Sequence, residues 1–176
     1  SDRYAEFGAI GGSVLQMLGD ARGARVTRAD KEELKRRMQS LPPYPEVPAA
    51  LRRLRHAGFR LVTLSNGAPK ATAAQLRHAG LDQLFERSFS VDAVGRFKPA
   101  PETYRYAARQ LGARLAGLRL IAAHTWDVTG ALEAGCSAAL VMRSSAAPLS
   151  LSHLRQPDIV GHDLAAVADQ IIQRDR

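Results

Sequence analysis

Apolar residues in this chain follow two rhythms. Short unbroken runs at Phe59 to Leu64, Phe85 to Val91, Leu118 to Ala123, Ala138 to Met142 and Asp158 to Val160 predict strands. Stretches with apolar positions every three or four residues predict helices over Tyr4 to Leu18, about Arg28 to Gln39, Pro48 to Ala57, Lys70 to His78, Pro101 to Leu111, Asp127 to Ala134 and Leu164 to Gln173. Gly58, Gly80 and Gly135 stand where three of these helices should stop. Thr27 and Asp30 have the spacing of a capping box. The helix they open is very basic, with only Leu34 and Met38 as clear apolar anchors, so it should lie on a surface.

Pro42, Pro43, Pro45 and Pro48 cannot continue a helix, and they separate a small helical piece, residues 1–43, from the remainder, 44–176. Beyond them strands alternate with helices, which implies an α/β fold with a parallel sheet. Ser144 to Ser152 reads as a polar loop, and there is no internal repeat.

Composition narrows the function without choosing it. With 45% hydrophobic and 24% charged residues, the chain is ordinary globular protein. A single cysteine excludes an internal disulfide framework, and no Cys/His cluster has the spacing of a structural zinc site, so a reducing cytoplasm is the simplest compartment. No apolar run approaches the roughly 18 residues of a membrane span, and the first residues do not read as a signal peptide. The formal charge of +8 could suit nucleic acid, but the 25 Lys and Arg residues are scattered and carry no recognition signature, so a solvated basic surface is the expectation. Cys136 reads as a small buried apolar residue, and His56 and His78 as helix-end residues favoured by the dipole.

Three polar seams carry the candidate chemistry. Ser65-Asn66 follows one predicted strand, Lys98 lies in RFKPAPETY, and His124-Thr125-Trp126-Asp127 follows another strand. The carboxyl ends of strands in an open α/β sheet face the ligand crevice. A hydroxyl and backbone N–H groups at a helix start make an anion pocket. A lysine can keep a carboxylate ionised, and an aspartate can orient water. Taken alone, Asp127 could merely cap its helix, Trp126 could fill core, Ser65-Asn66 could be a turn, and Lys98 could be solvated.

In this order and spacing the seams resemble the haloacid dehalogenase superfamily, and within it the (S)-2-haloacid dehalogenase group, from about Tyr4 to the C-terminus. LSNGAP at Leu64 to Pro69 resembles the second superfamily motif, RFKPAPETY at Arg96 to Tyr104 the third, and AAHTWDVTGALEAG at Ala122 to Gly135 the fourth. The resemblance implies a three-layer, Rossmann-like core over 44–176 that lacks its first strand, preceded by a partial helical cap domain over 1–43. It implies hydrolysis of a short, anionic 2-haloacid to the 2-hydroxyacid through an aspartyl ester. Ser65 would bind the substrate carboxylate, Asn66 would cradle the departing halide, and Lys98 would pair with the nucleophile with Tyr104 hydrogen-bonded nearby. Asp127 would orient the hydrolytic water, His124 would hydrogen-bond water, and Trp126 would form apolar wall around the halogen.

Superfamily phosphatases usually carry two acids in the fourth motif to hold Mg²⁺, and His124 stands where one of them would be. The resemblance therefore implies no metal and no cofactor. His124 also replaces an asparagine, and Ala122 or Ala123 replaces serines, found in many of these dehalogenases. The nucleophile belongs to a first strand in a D-x-x-G-T pattern, which is not found among these residues; Asp92 in SVDAVG lacks that context. The expectation is that the nucleophile lies upstream and that these 176 residues alone are inactive. A Mg²⁺-dependent phosphatase of the same superfamily and a non-catalytic binding or structural relative are the alternatives. No nucleic-acid or membrane partner is expected, and a homodimer remains open. Lys98→Ala and Asp127→Asn should each cut turnover with little change in thermal midpoint.

Overall fold

The computed structural model describes residues 4–143 and 153–175. The polar loop expected at Ser144 to Ser152 lies outside the described residues. The chain divides into two compact units, Ser1–Pro43 with Val62–Gly95, and Tyr44–Leu61 with Arg96–Arg176.

In the first unit, helices α1 (Phe7–Asp20) and α2 (Arg28–Gln39) accompany strand β1 (Val62–Ser65), helix α4 (Pro69–His78) and strand β2 (Arg87–Ser90). β1 and β2 run parallel, with Val62 opposite Arg87 and Ser65 opposite Ser90. The return path between them is α4, as a parallel pair requires. Thr27 opens α2 as expected: its hydroxyl accepts from Asp30 N–H at 3.2 Å, and Asp30 Oδ2 accepts from Thr27 N–H at 2.8 Å. α2 buries no residue, in keeping with its basic composition. α1 leaves Phe7, Ile10, Val14, Met17 and Leu18 exposed.

The second unit holds α3 (Val47–His56), α5 (Pro101–Leu111), β3 (Arg119–Ala122), α6 (Thr125–Ala134), β4 (Ser137–Val141), β5 (Ile159–Gly161) and α7 (Leu164–Arg174). Its sheet is parallel, in the order β3-β4-β5. α6 and α7 pack against the sheet, α5 packs on α6, and α3 packs on α7. Val128 and Leu132, one turn apart on α6, meet Ala138 and Leu140 of β4, with Leu120, Val160 and Met142 packed around them. Each fully buried aliphatic side chain of this kind stabilises by about 1.5–3 kcal/mol, so this patch fixes α6 on the sheet.

The fold is the mixed α/β class with parallel sheets that the alternating rhythm implies. Element ends fall within three residues of the expected ones, and α2 and α5 have the expected bounds. β3 departs more: a strand buried on both faces was the expectation, yet all four of its residues are only half-buried. Among the described residues its only strand neighbour is β4, which leaves the other edge open.

Candidate functional site

α6 starts two residues before the expected Asp127, and His124, not Asp127, is its N-cap residue. Asp127 therefore lies in the first helical turn, where a carboxylate gains from the unsatisfied backbone N–H groups of the helix start. Gly135 ends the helix in the left-handed conformation at φ 104°, which a glycine adopts without steric cost.

Two residues from earlier in the chain close on Asp127. Lys98, in the segment ahead of α5, places Nζ 2.6 Å from Asp127 Oδ2, and the side chains are only 12% and 4% exposed. Tyr104 lies one turn into α5, on the buried face that also carries Thr103, Ala107 and Ala108. Its hydroxyl donates to Asp127 Oδ1 at 2.7 Å and also contacts the Asp127 carbonyl oxygen at 3.1 Å. Burial, then the hydrogen bond to Asp127, pushes the Tyr104 phenol far above its ordinary range, so it remains a proton donor. The hydroxyl can be buried because the carboxylate partners it.

The cluster thus fixes both oxygens of one carboxylate. A carboxylate oxygen can accept two hydrogen bonds, so Oδ1 and Oδ2 retain capacity for water after Tyr104 and Lys98 are counted. The ammonium of Lys98 has three donors, of which Asp127 takes one.

His124 and Trp126 lie at the start of the same helix, their rings stacked at 5.4 Å between centroids and 30° between planes. Trp126 is 42% exposed, which excludes the core-filling role. The pair is an exposed apolar and imidazole surface next in sequence to the buried carboxylate.

Ser65 and Asn66 occupy a turn of the first unit. Ser65 ends β1, and its hydroxyl accepts from Gly67 N–H at 2.9 Å. Ser90, its register partner at the end of β2, donates its hydroxyl to Gly67 carbonyl oxygen at 2.9 Å and accepts from Asp92 N–H at 3.2 Å. Ser90 is not singled out by the sequence; a serine ending the neighbouring run was the available signal. Asp92 itself accepts a hydrogen bond from Tyr4, whose phenol is pushed up to about 12 by burial and by Asp92. Cys136 is buried, and burial pushes its thiol up, away from reactivity.

Among the described residues no three His, Cys, Asp or Glu side chains converge as a metal site. Lys98 supplies the positive charge that meets Asp127 Oδ2. No described helix is long and apolar enough to cross a membrane.

The family model for haloacid dehalogenase-like hydrolases matches residues 11–135. An (S)-2-haloacid dehalogenase of Pseudomonas sp. (strain YL) is 40% identical over 91 residues, 52% of this chain and 39% of that protein. The (S)-2-haloacid dehalogenase of Xanthobacter autotrophicus is 32% identical over 143 residues, 81% of this chain and 56% of that one. The structure of the L-2-haloacid dehalogenase from Xanthobacter autotrophicus with chloropropionic acid covalently bound superposes with a TM-score of 0.88 at 27% identity, covering 99% of this chain and 78% of that one. The chain spans roughly half the length of the curated relatives it matches.

Proposed function

Because the chain belongs to the haloacid dehalogenase-like hydrolases, we propose that the whole protein hydrolyses short (S)-2-haloacids to 2-hydroxyacids. The observation that carries this reading is the Lys98–Asp127–Tyr104 cluster, where a lysine and a phenol take up the carboxylate that a phosphatase would turn to a metal ion.

In the proposed reaction an aspartate from an upstream first strand displaces halide from C2 and forms an ester. Ser65 and Asn66 hold the substrate carboxylate and the departing halide, and Trp126 walls the halogen. Asp127 holds the water that opens the ester, with His124 as a further partner for water. Lys98 shares its charge between Asp127 and the nucleophile. Residues 1–43 are assigned to the remnant of a helical cap, and 44–176 to the core. The relatives' names and the fourth-motif residues support the haloacid as substrate over a phosphate ester.

A homodimer and a cytoplasmic location belong to the same proposal. The exposed apolar stripe of α1 gives a second copy a surface to cover, and the single cysteine suits a reducing compartment.

The test is halide release from 2-chloropropionate by the full-length protein with EDTA present. Undiminished release supports the proposal. Loss of activity in EDTA, with rescue by Mg²⁺ and hydrolysis of a phosphate monoester, would make the protein a phosphatase.

A further inference from the structure

Gly130 follows Asp127 by three positions and so lies on the same face of α6, one turn further on. The absence of a side chain there is a structural requirement. A Cβ at position 130 would fall 2.3 Å from Pro99 Cβ, 2.9 Å from Pro99 carbonyl oxygen and 3.0 Å from the Tyr104 hydroxyl. Carbon atoms in contact ordinarily sit about 3.5–4.0 Å apart, and backbone atoms cannot swing aside as a long side chain does. Pro99 is the residue after Lys98, and the Tyr104 hydroxyl is the group that holds Asp127 Oδ1. The Tyr104 hydroxyl that grips Asp127 Oδ1, and the residue that follows Lys98, are therefore both seated against the one bare position of the helix that carries the carboxylate.

We propose that Gly130 is a positioning residue for the reaction: its missing side chain lets Pro99 and the Tyr104 hydroxyl close on α6, and so sets Lys98 and Tyr104 on the two oxygens of Asp127. This rests on the haloacid reading for its catalytic consequence, but the geometry it describes does not. An alanine at 130 must push Pro99, Tyr104 or both away from the helix. The distances to Asp127 then lengthen, while Ser65 and Asn66, which carry the proposed substrate contacts, lie in a different turn of the chain. The cost should fall on turnover and leave substrate affinity nearly as it was.

The experiment compares Gly130→Ala with the parent full-length protein. Turnover of 2-chloropropionate should fall by about tenfold or more, with KM within about twofold. The resonance of the buried Tyr104 hydroxyl proton, followed by NMR, should shift. Gly117→Ala is the control, because a Cβ there meets nothing within 4 Å, and it should change neither reading. A double-mutant cycle with Pro99→Gly removes the nearest atom in the path of the new methyl. In that background the loss from Gly130→Ala should shrink by about threefold or more, and this pair serves as the test if the single variant does not fold. An equal loss in both backgrounds, or an unmoved Tyr104 proton in folded Gly130→Ala, would overturn the assignment. Absence of halide release by the parent protein would count against the proposed activity alone, and the Tyr104 proton would still decide the role of Gly130.

Discussion

Lys98 Nζ and Asp127 Oδ2, 29 positions apart in the chain, meet at 2.6 Å with both side chains largely withdrawn from bulk water. A pair buried in this way is held by mutual dependence, since removing either partner takes from the other the charge that offsets its desolvation.

Lys98→Ala should therefore lower stability by about 3–5 kcal/mol, in addition to cutting turnover. The sequence alone suggests little change in thermal midpoint, because it does not reveal the burial. Lys98→Met combined with Asp127→Asn should recover most of the midpoint and none of the turnover. Thermal melts of the parent and the two variants measure this, and a Lys98→Ala melt at the parent value would mean that water reaches the pair.

Tyr104→Phe keeps the ring and removes the donor to Asp127 Oδ1. Loss of a hydrogen bond to a buried charged group should cost about 1.5–3 kcal/mol. Turnover should fall less than in Asp127→Asn, since Lys98 still holds the other oxygen. The ratio of the two rate constants at one pH is the measurement.

Trp126→Ala should leave the thermal midpoint within the range of about 0.5 kcal/mol typical of surface substitutions, because the ring is exposed and stacks on the likewise exposed His124. If the ring walls the halogen, KM for bromo- and chloro-substituted acids should rise by different factors. Equal KM values for parent and variant would remove Trp126 from the substrate surface.

Arg119 joins Asp158, through two hydrogen bonds at 2.6 and 3.1 Å, to Asp175 near the C-terminus. Burial works against ionised Asp158, but the hydrogen bonds and charge of Arg119 outweigh it, and its carboxyl is held below the usual range. A folded-state value below the unfolded one gives stability that is complete above the unfolded value of about 3.9 and is lost as pH falls through the folded one. Asp158→Asn should lower the thermal midpoint at pH 7. The gap between variant and parent should close as melts are repeated from about pH 5 down to pH 2.

The elements of this fold were legible because their signals are local. Pro101 through Leu111 has a proline at the first helical position and a glycine just past the end, and the helix has those bounds. The capping box of Thr27 and Asp30 likewise needs only four residues to be read. The candidate site was legible as a set of seams, since Ser65, Lys98 and Asp127 each follow or precede an identifiable element. The partnership of Lys98 with Asp127 was not, because nothing in either neighbourhood encodes a contact across 29 positions. Gly130 was hidden for a related reason. Within its helix it looks like a mild defect in helix propensity, and only the approach of Pro99 and Tyr104 makes the bare position necessary.

Among the described strands only β4 has neighbours on both sides, and its Ala138, Ala139 and Leu140 are wholly excluded from solvent. In hydrogen–deuterium exchange its amides should be the last of the second unit to surrender their protons, through opening that approaches the global unfolding free energy. β3 and β5, each with one open edge, should exchange earlier. Asp127 rides on α6, the helix packed against β4 by Val128 and Leu132. The carboxylate is thus anchored to the slowest-opening part of its unit, and partial unfolding that frees β5 and α7 would leave its helix seated.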